Sequence, residues 1–211
     1  TLVTEHHVGG VFVGGDDTTL LTSGELRSLR EGEPLGLVVT VDEEGGRVQR
    51  VDALEGPVPS ARDMAATMTP AEVEDLARER AEAMAALGVT QDAAPVLDVS
   101  SQPDGTVIGD RSWSDDPDVV TTYAGAYAEG LAAGGVTPVY KHFPGHGSAS
   151  GDSHEGAVTT PPLDELRAHD LLPYADLLPD APQGTAVMLG HLDVPGLTED
   201  GTPTSLSPAT V

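Results

Sequence analysis

Val136-Thr137-Pro138-Val139-Tyr140-Lys141-His142-Phe143-Pro144-Gly145-His146-Gly147-Ser148-Ala149-Ser150-Gly151-Asp152-Ser153-His154 runs from an apolar stretch into a loop that carries a lysine, three histidines and an aspartate. Val136–Tyr140 predicts a buried strand, which puts Lys141 and His142 at its C-terminal end. Pro144 and the glycines forbid a helix through the residues that follow. In extended backbone, residues i and i+2 face the same way, so Asp152 can lie beside His154, orient its imidazole and raise its basicity. That pairing suits proton transfer. A polar turn whose aspartate and histidine satisfy backbone groups accounts for the same two residues, and the pair alone does not choose between these readings.

Outward from this stretch, strands are predicted at about Val8–Val13, Leu35–Val41, Val89–Leu97 and Thr185–Leu189, with helical patterns between them. This is a repeated strand-helix unit. Thr69-Pro70-Ala71-Glu72 is a capping box with proline at the first helical position. Val73, Leu76, Ala77, Met84 and Leu87 line one face of that helix, and Gly88 closes it. A second helix takes Asp116 as cap and Pro117 as its first residue. It carries Val120, Tyr123, Ala124, Tyr127 and Leu131 at helical spacing and stops at Gly134-Gly135; both tyrosines read as packing residues. Shorter helices are predicted around Ser23–Arg30 and Pro162–Leu178, the latter broken near Pro173. Nothing marks a domain boundary, so residues 1–211 read as one domain.

Strands alternating with helices fit an open doubly wound sheet or a closed eight-stranded barrel. Polar residues separate the two. Asp42 follows the second strand, Asp98 ends the third with Arg111 in its loop, Lys141 and His142 follow the fourth, and His191 follows the fifth. Ends of widely separated strands do not converge in an open sheet, whereas in a barrel every strand end rims one mouth. The prediction is an α/β fold of the (β/α)8 TIM type. It is incomplete in this chain, with about five strands and four helices and the C-terminal strands missing, because a whole barrel takes about 250 residues.

Composition limits the partners. The 211 residues carry a formal charge of −25, 38% hydrophobic residues and no cysteine. Such an acidic surface repels nucleic acid and anionic membranes, and the carboxylates are spread among apolar periodic segments instead of forming a disordered tail. Disulfides and thiolate metal sites are excluded. No hydrophobic run spans a bilayer and no signal-peptide pattern is present. The chain opens at Thr1 without a methionine, so upstream sequence is expected to have been removed; cytoplasmic, secreted and envelope locations all stay open, as does the oligomeric state. Only ten lysines and arginines occur. Arg47 with Arg50, Arg111, and Lys141 beside His142 sit near predicted strand ends, while Arg27, Arg30, Arg62, Arg78 and Arg80 read as scattered solubilising charge.

Several segments together resemble the N-terminal barrel domain of glycoside hydrolase family 3, most closely its β-N-acetylglucosaminidase branch. They are Val41-Asp42-Glu43-Glu44-Gly45-Gly46-Arg47-Val48-Gln49-Arg50, Ala94-Pro95-Val96-Leu97-Asp98-Val99, Ile108-Gly109-Asp110-Arg111-Ser112-Trp113, the loop through Asp152-Ser153-His154, and Met188-Leu189-Gly190-His191. The resemblance runs nearly end to end and identifies residues 1–211 as a fragment of that catalytic domain. It implies cleavage of terminal β-linked N-acetylglucosamine from cell-wall or chitin-derived saccharides, with retention through a covalent glycosyl-enzyme and without cofactor or metal. It implies that His154 is the acid/base on a mobile loop, with Asp152 its partner, departing from the usual pair of carboxylates. It also implies that Asp42, Arg50, Arg111, Lys141 and His142 hold the sugar. The family's nucleophilic aspartate is expected shortly beyond Thr204-Ser205-Leu206-Ser207-Pro208, and Val211 ends the chain before any such strand. The chain alone is therefore expected to be inactive.

Plainer readings exist for each residue. Asp42 could be a turn aspartate, Arg47 and Arg50 could pair with Glu43 or Glu44, and Arg111 with Asp110 or Asp115. His146 and His191 are as compatible with loop shaping and packing as with ligand contact, and His6 and His7 support nothing. A zinc site from His142, His146 and His154 lacks the helical i, i+4 pairing of the usual zinc motif. Phosphorolysis is a close variant, since a histidine in place of a carboxylate removes charge that repels phosphate. A Schiff-base lyase using Lys141 and a non-catalytic sugar-binding module complete the alternatives.

Overall fold

The computed structural model describes residues 2–32, 36–199 and 201–210. In chain order it contains α1 (Leu2–His6), β1 (Gly10–Phe12), α2 (Thr19–Thr22), α3 (Glu25–Gly32), β2 (Val38–Val41), α4 (Asp52–Glu55), α5 (Ala61–Thr67), α6 (Pro70–Ala86) and β3 (Gln91–Asp92). There follow α7 (Pro117–Ala133), β4 (Thr137–Phe143), α8 (Leu163–Ala168), α9 (Leu172–Leu177) and β5 (Ala186–Leu189).

All five strands are parallel and pair in the order β1-β2-β3-β4-β5. In a doubly wound sheet the strand order reverses at a switch point. Here every crossover steps to the next strand, which is the winding of a barrel. The result is an α/β half-barrel, as the strand-end residues predict. Phe12, Val38 and Val187 project from β1, β2 and β5 and stay exposed.

The elements begin where local chemistry dictates. Thr69 and Glu72 form the predicted capping box at α6, and Asp116 caps α7 by accepting from the Asp118 amide at 3.0 Å. These two helices pack closely, because a Cβ at Gly130 would lie 2.3 Å from the Glu74 carbonyl oxygen and one at Gly134 2.6 Å from that of Arg78. Tyr127 reaches from α7 through the core to donate to the Glu43 carbonyl at 2.8 Å, and Trp113 donates to that of Val96 at 3.1 Å. Among the described residues no helix is long and apolar enough to cross a membrane.

Several sequence expectations need correction. The strand predicted at Val89–Leu97 narrows to two paired residues, Gln91 and Asp92. Pro95 has no N–H to offer the ladder, and pairing resumes only at a bridge between Val96 and Lys141. Conversely β4 continues past Tyr140 to Phe143, so Lys141 and His142 lie inside the strand, and its pairing with β5 is irregular between Tyr140 and Phe143. Leu35, where the second strand was expected to begin, lies outside the described residues. The helix expected around Ser23–Arg30 is α3, which starts two residues later and is preceded by the separate turn α2, while that at Pro162–Leu178 is broken as expected, into α8 and α9, with Pro173 in the first turn of α9. Helices α1, α2, α4 and α5 were not foreseen.

Four of the arginines read as solubilising charge are structural. Arg80 is buried, donates to the Gly56 carbonyl at 2.6 Å and lies 3.7 Å from Glu43. Arg62 bridges the Ser100, Gln102 and Gly109 carbonyls and Asp104. Arg27 and Arg30 donate to the Ala86 and Gly88 carbonyls at the C-terminal end of α6, where cations complement the helix dipole.

Candidate active site

Asp42 and Glu44 follow β2 with one residue between them. Extended backbone therefore turns both toward the mouth and turns Glu43 away. Glu43 instead faces Arg80 and accepts from the Val51 amide at 3.0 Å. Lys141, on β4, reaches across the sheet to Asp42 at 2.7 Å and also pairs with Glu44. Glu44 in turn receives a two-pronged contact from Arg111, with Nε and Nη2 each 2.7 Å from a carboxylate oxygen. Arg111 Nη2 stands 3.5 Å from His142 Nε2, and His142 Nδ1 lies 2.6 Å from Asp98 Oδ2. Asp42, Lys141, Glu44, Arg111, His142 and Asp98 thus form one continuous network at the C-terminal ends of the strands.

Its members are held in place by burial. Lys141 is 1% exposed, Glu44 6% and Asp98 0%. Burial alone would push the Glu44 carboxyl up, but Lys141 and Arg111 outweigh it and hold Glu44 at about 2. Burial likewise works against the Lys141 ammonium, and Glu44 and Asp42 raise it above the ordinary lysine value. Burial drives His142 below the ordinary imidazole value despite Asp98 beside it. Asp98 stays below the ordinary carboxyl value although buried, because His142 and the His146 amide donate to it.

The loop after β4 is seated on this network. The His146 amide donates to Asp98 Oδ1 at 2.7 Å, and Ser100 and Gln102 donate to the Gly147 carbonyl at 3.0 and 3.1 Å. Gly147 has no alternative, since a Cβ there would come within 1.9 Å of the Val99 carbonyl oxygen. Further along, His154 Nδ1 lies 2.8 Å from Asp152 Oδ1, and that oxygen also accepts from the His154 amide at 2.9 Å. These hydrogen bonds hold the Asp152 carboxyl below its ordinary value. The two side chains meet, but in a turn and not in extended backbone: the Asp152 carbonyl also accepts from the Glu155 amide at 3.0 Å, so the aspartate satisfies backbone groups as the polar-turn reading expects. The His154 side chain is 89% exposed.

Asp152 borders an open cavity of about 380 Å³ together with Gln102, Thr106 and His146. His154 borders a neighbouring one of about 410 Å³ with His191 and Asp193. His146 touches both the first cavity and Asp98, and so links the loop to the network. Among the described residues no hydrogen bond or ion pair joins the His154 ring or the Arg50 guanidinium to that network. Arg50 donates from Nη1 to the Gln49 carbonyl at 2.8 Å, its Nε is buried without a partner, and no carboxylate pairs with it among the described residues. Arg111 pairs with Glu44 in place of Asp110 or Asp115, while Arg47 takes Asp110 at 2.8 Å. The His142 and His146 rings meet edge to face with centroids 5.8 Å apart, but no metal-ligating group of three appears among the described residues.

Glu44 and Asp98 are the site residues that sequence reasoning passed over. The i, i+2 relation of Glu44 to Asp42 was the available signal. Asp98 was noticed only as a polar residue at a strand end.

Ionic and imidazole groups at the C-terminal mouth of a parallel half-barrel are the arrangement of barrel-class enzymes. The chain belongs to glycosyl hydrolase family 3, whose N terminal domain matches residues 1–211. It is 56% identical to the beta-hexosaminidase LpqI of Mycobacterium tuberculosis over 212 residues, which is 100% of this chain and 54% of that protein. A family 3 glycosyl hydrolase structure from Mycobacterium smegmatis superposes with a TM-score of 0.95 at 55% identity, covering 99% of this chain and 63% of that one. NagZ from Neisseria gonorrhoeae, solved with N-trifluoroacetyl-D-glucosamine, gives a TM-score of 0.77 at 30% identity, with 93% and 60% covered. The chain spans about half the length of the curated relatives it matches.

Proposed function

We propose that this chain supplies the sugar-gripping and acid/base parts of a retaining β-N-acetylglucosaminidase acting on terminal β-linked N-acetylglucosamine. The observation that carries the reading is the joining of Asp42, Lys141, Glu44, Arg111, His142 and Asp98 into one network, with the Asp152–His154 pair on the loop that leaves the same strand. Carboxylates accept from ring hydroxyls while ammonium and guanidinium groups donate to them, so a network holding both matches a polyhydroxyl ligand. Arg50, which has no carboxylate partner among the described residues, is a further donor. The His154 imidazole protonates the leaving oxygen and then deprotonates the incoming water, and Asp152 keeps its ring aligned.

The nucleophile, in this reading, is a carboxylate outside Thr1–Val211. The substrates, as the family resemblance of the sequence implies, are saccharides derived from chitin or the cell wall. Hydrolysis of a chromogenic N-acetyl-β-glucosaminide by the full-length protein tests the proposal. His154→Ala should lower kcat by about 10²- to 10⁴-fold. N-acetylglucosamine should be released first as the β anomer, and adding phosphate should yield no sugar 1-phosphate. Undiminished turnover in His154→Ala would remove the histidine from the mechanism.

A further inference from the structure

We infer that Asp98 is a positioning residue that locks His142 with its proton on Nδ1, so that Nε2 faces the mouth as a bare acceptor for a ligand hydroxyl hydrogen. The two sides of the ring point to this independently. On one side Asp98 is fully buried and cannot swing away, because its Oδ1 is pinned by the His146 amide at 2.7 Å and the His142 amide at 3.3 Å. That leaves Oδ2, 2.6 Å from Nδ1, and a carboxylate can only accept, so Nδ1 must donate. On the other side Nε2 lies 3.5 Å from Arg111 Nη2, too far for a strong bond, and a guanidinium has no acceptor for an Nε2 proton, so the neighbour disfavours a proton there. Both neighbours favour the same tautomer.

The cationic Lys141 and Arg111 nearby work against a second ring proton. An acceptor-only nitrogen beside two cationic donors selects a free hydroxyl, which gives its hydrogen to His142 while its oxygen accepts from Lys141 or Arg111. A hydroxyl capped by a methyl group has no hydrogen to give and is rejected. The ligand half of this inference rests on the sugar-binding reading above, whereas the tautomer half stands on geometry alone.

The test uses the full chain labelled with ¹⁵N-histidine. Long-range ¹H–¹⁵N correlation spectra without ligand should show His142 as the Nδ1-H form, with Nε2 unprotonated, and Asp98→Asn should shift it toward the Nε2-H form. Binding of N-acetylglucosamine should weaken about tenfold in Asp98→Asn. The same substitution should cost nothing further in a His142→Ala background, since Asp98 acts through that ring. An Nε2-H or doubly protonated His142 in the unaltered protein, or an unchanged tautomer in Asp98→Asn, overturns the inference. The spectrum of the unaltered protein decides even where the variant fails to fold. Lack of sugar binding by a protein with the expected tautomer would instead refute the sugar reading.

Discussion

Glu44 holds two cations in a site where neither can be left alone. Its carboxylate faces Lys141 and a two-pronged Arg111, all three largely withdrawn from water. Removing one partner of a buried ion pair is far more costly than the pair is favourable, since it strands an uncompensated charge. Glu44→Gln keeps the shape and loses the charge, and should lower the melting temperature by roughly 10 °C in a calorimetric scan. The pH dependence has a definite sign. The Glu44 carboxyl falls from its ordinary 4.5 to about 2 on folding, so its stabilisation is fully present above the unfolded value and is lost as pH drops through the interval between them. The variant should therefore show a flatter loss of stability between about pH 5 and pH 2 than the parent. Equal slopes would mean that Glu44 is not the group responsible. At this scale Asp42, Lys141, His142 and Arg111 were legible as candidates because they sit at or just beyond predicted strand ends, although each taken singly also fits a structural role. Glu44 was obscured by lying in a run of three acids, whose facing is decided only once β2 is known to stop at Val41.

Helices α6 and α7 lie together on glycine. A side chain at Gly130 would meet the Glu74 carbonyl and the Ala77 methyl, so even alanine forces the backbones apart. Gly130→Ala would gain helix propensity on an isolated helix, yet here it should destabilise by about 1–3 kcal/mol through overpacking. Urea denaturation with an unchanged m-value and a lower midpoint is the expected result, and a raised midpoint would show that the helices separate freely. These long helices were readable from the sequence because their caps are local: Thr69 with Glu72, and Asp116 with Pro117. The four residues of α4 and seven of α5 fall below the length at which helical periodicity is detectable. The shortening of β3 depends on its neighbours as well as on Pro95, so a continuous apolar run overstated it. Arg80 illustrates the same limit, because its role requires knowing that Glu43 turns inward.

Over the whole molecule, the uniform stepping of strands brings the ends of β2, β3 and β4 to one mouth, and this was anticipated from the polar residues alone. What the sequence did not convey is how the mouth divides. One part is a buried, internally paired network, and the other an exposed Asp152–His154 pair one cavity away, joined to it through His146 and Asp98. That separation is set by the path of the Pro144–His154 loop, which no local spacing rule encodes. The formal charge of −25 is dispersed over the surface, while the lysine and arginine that matter to the site are sequestered by carboxylates. A neutral, hydroxyl-rich ligand suits that balance better than an anion. The most direct measurement is a crystal structure of the full-length protein with N-acetylglucosamine bound. The account predicts sugar hydroxyls within hydrogen-bond distance of Asp42, Arg50, Arg111, Lys141 and His142, with the His154 loop drawn over the ring. A sugar bound away from these residues, or His154 still turned to solvent in the occupied enzyme, would contradict it.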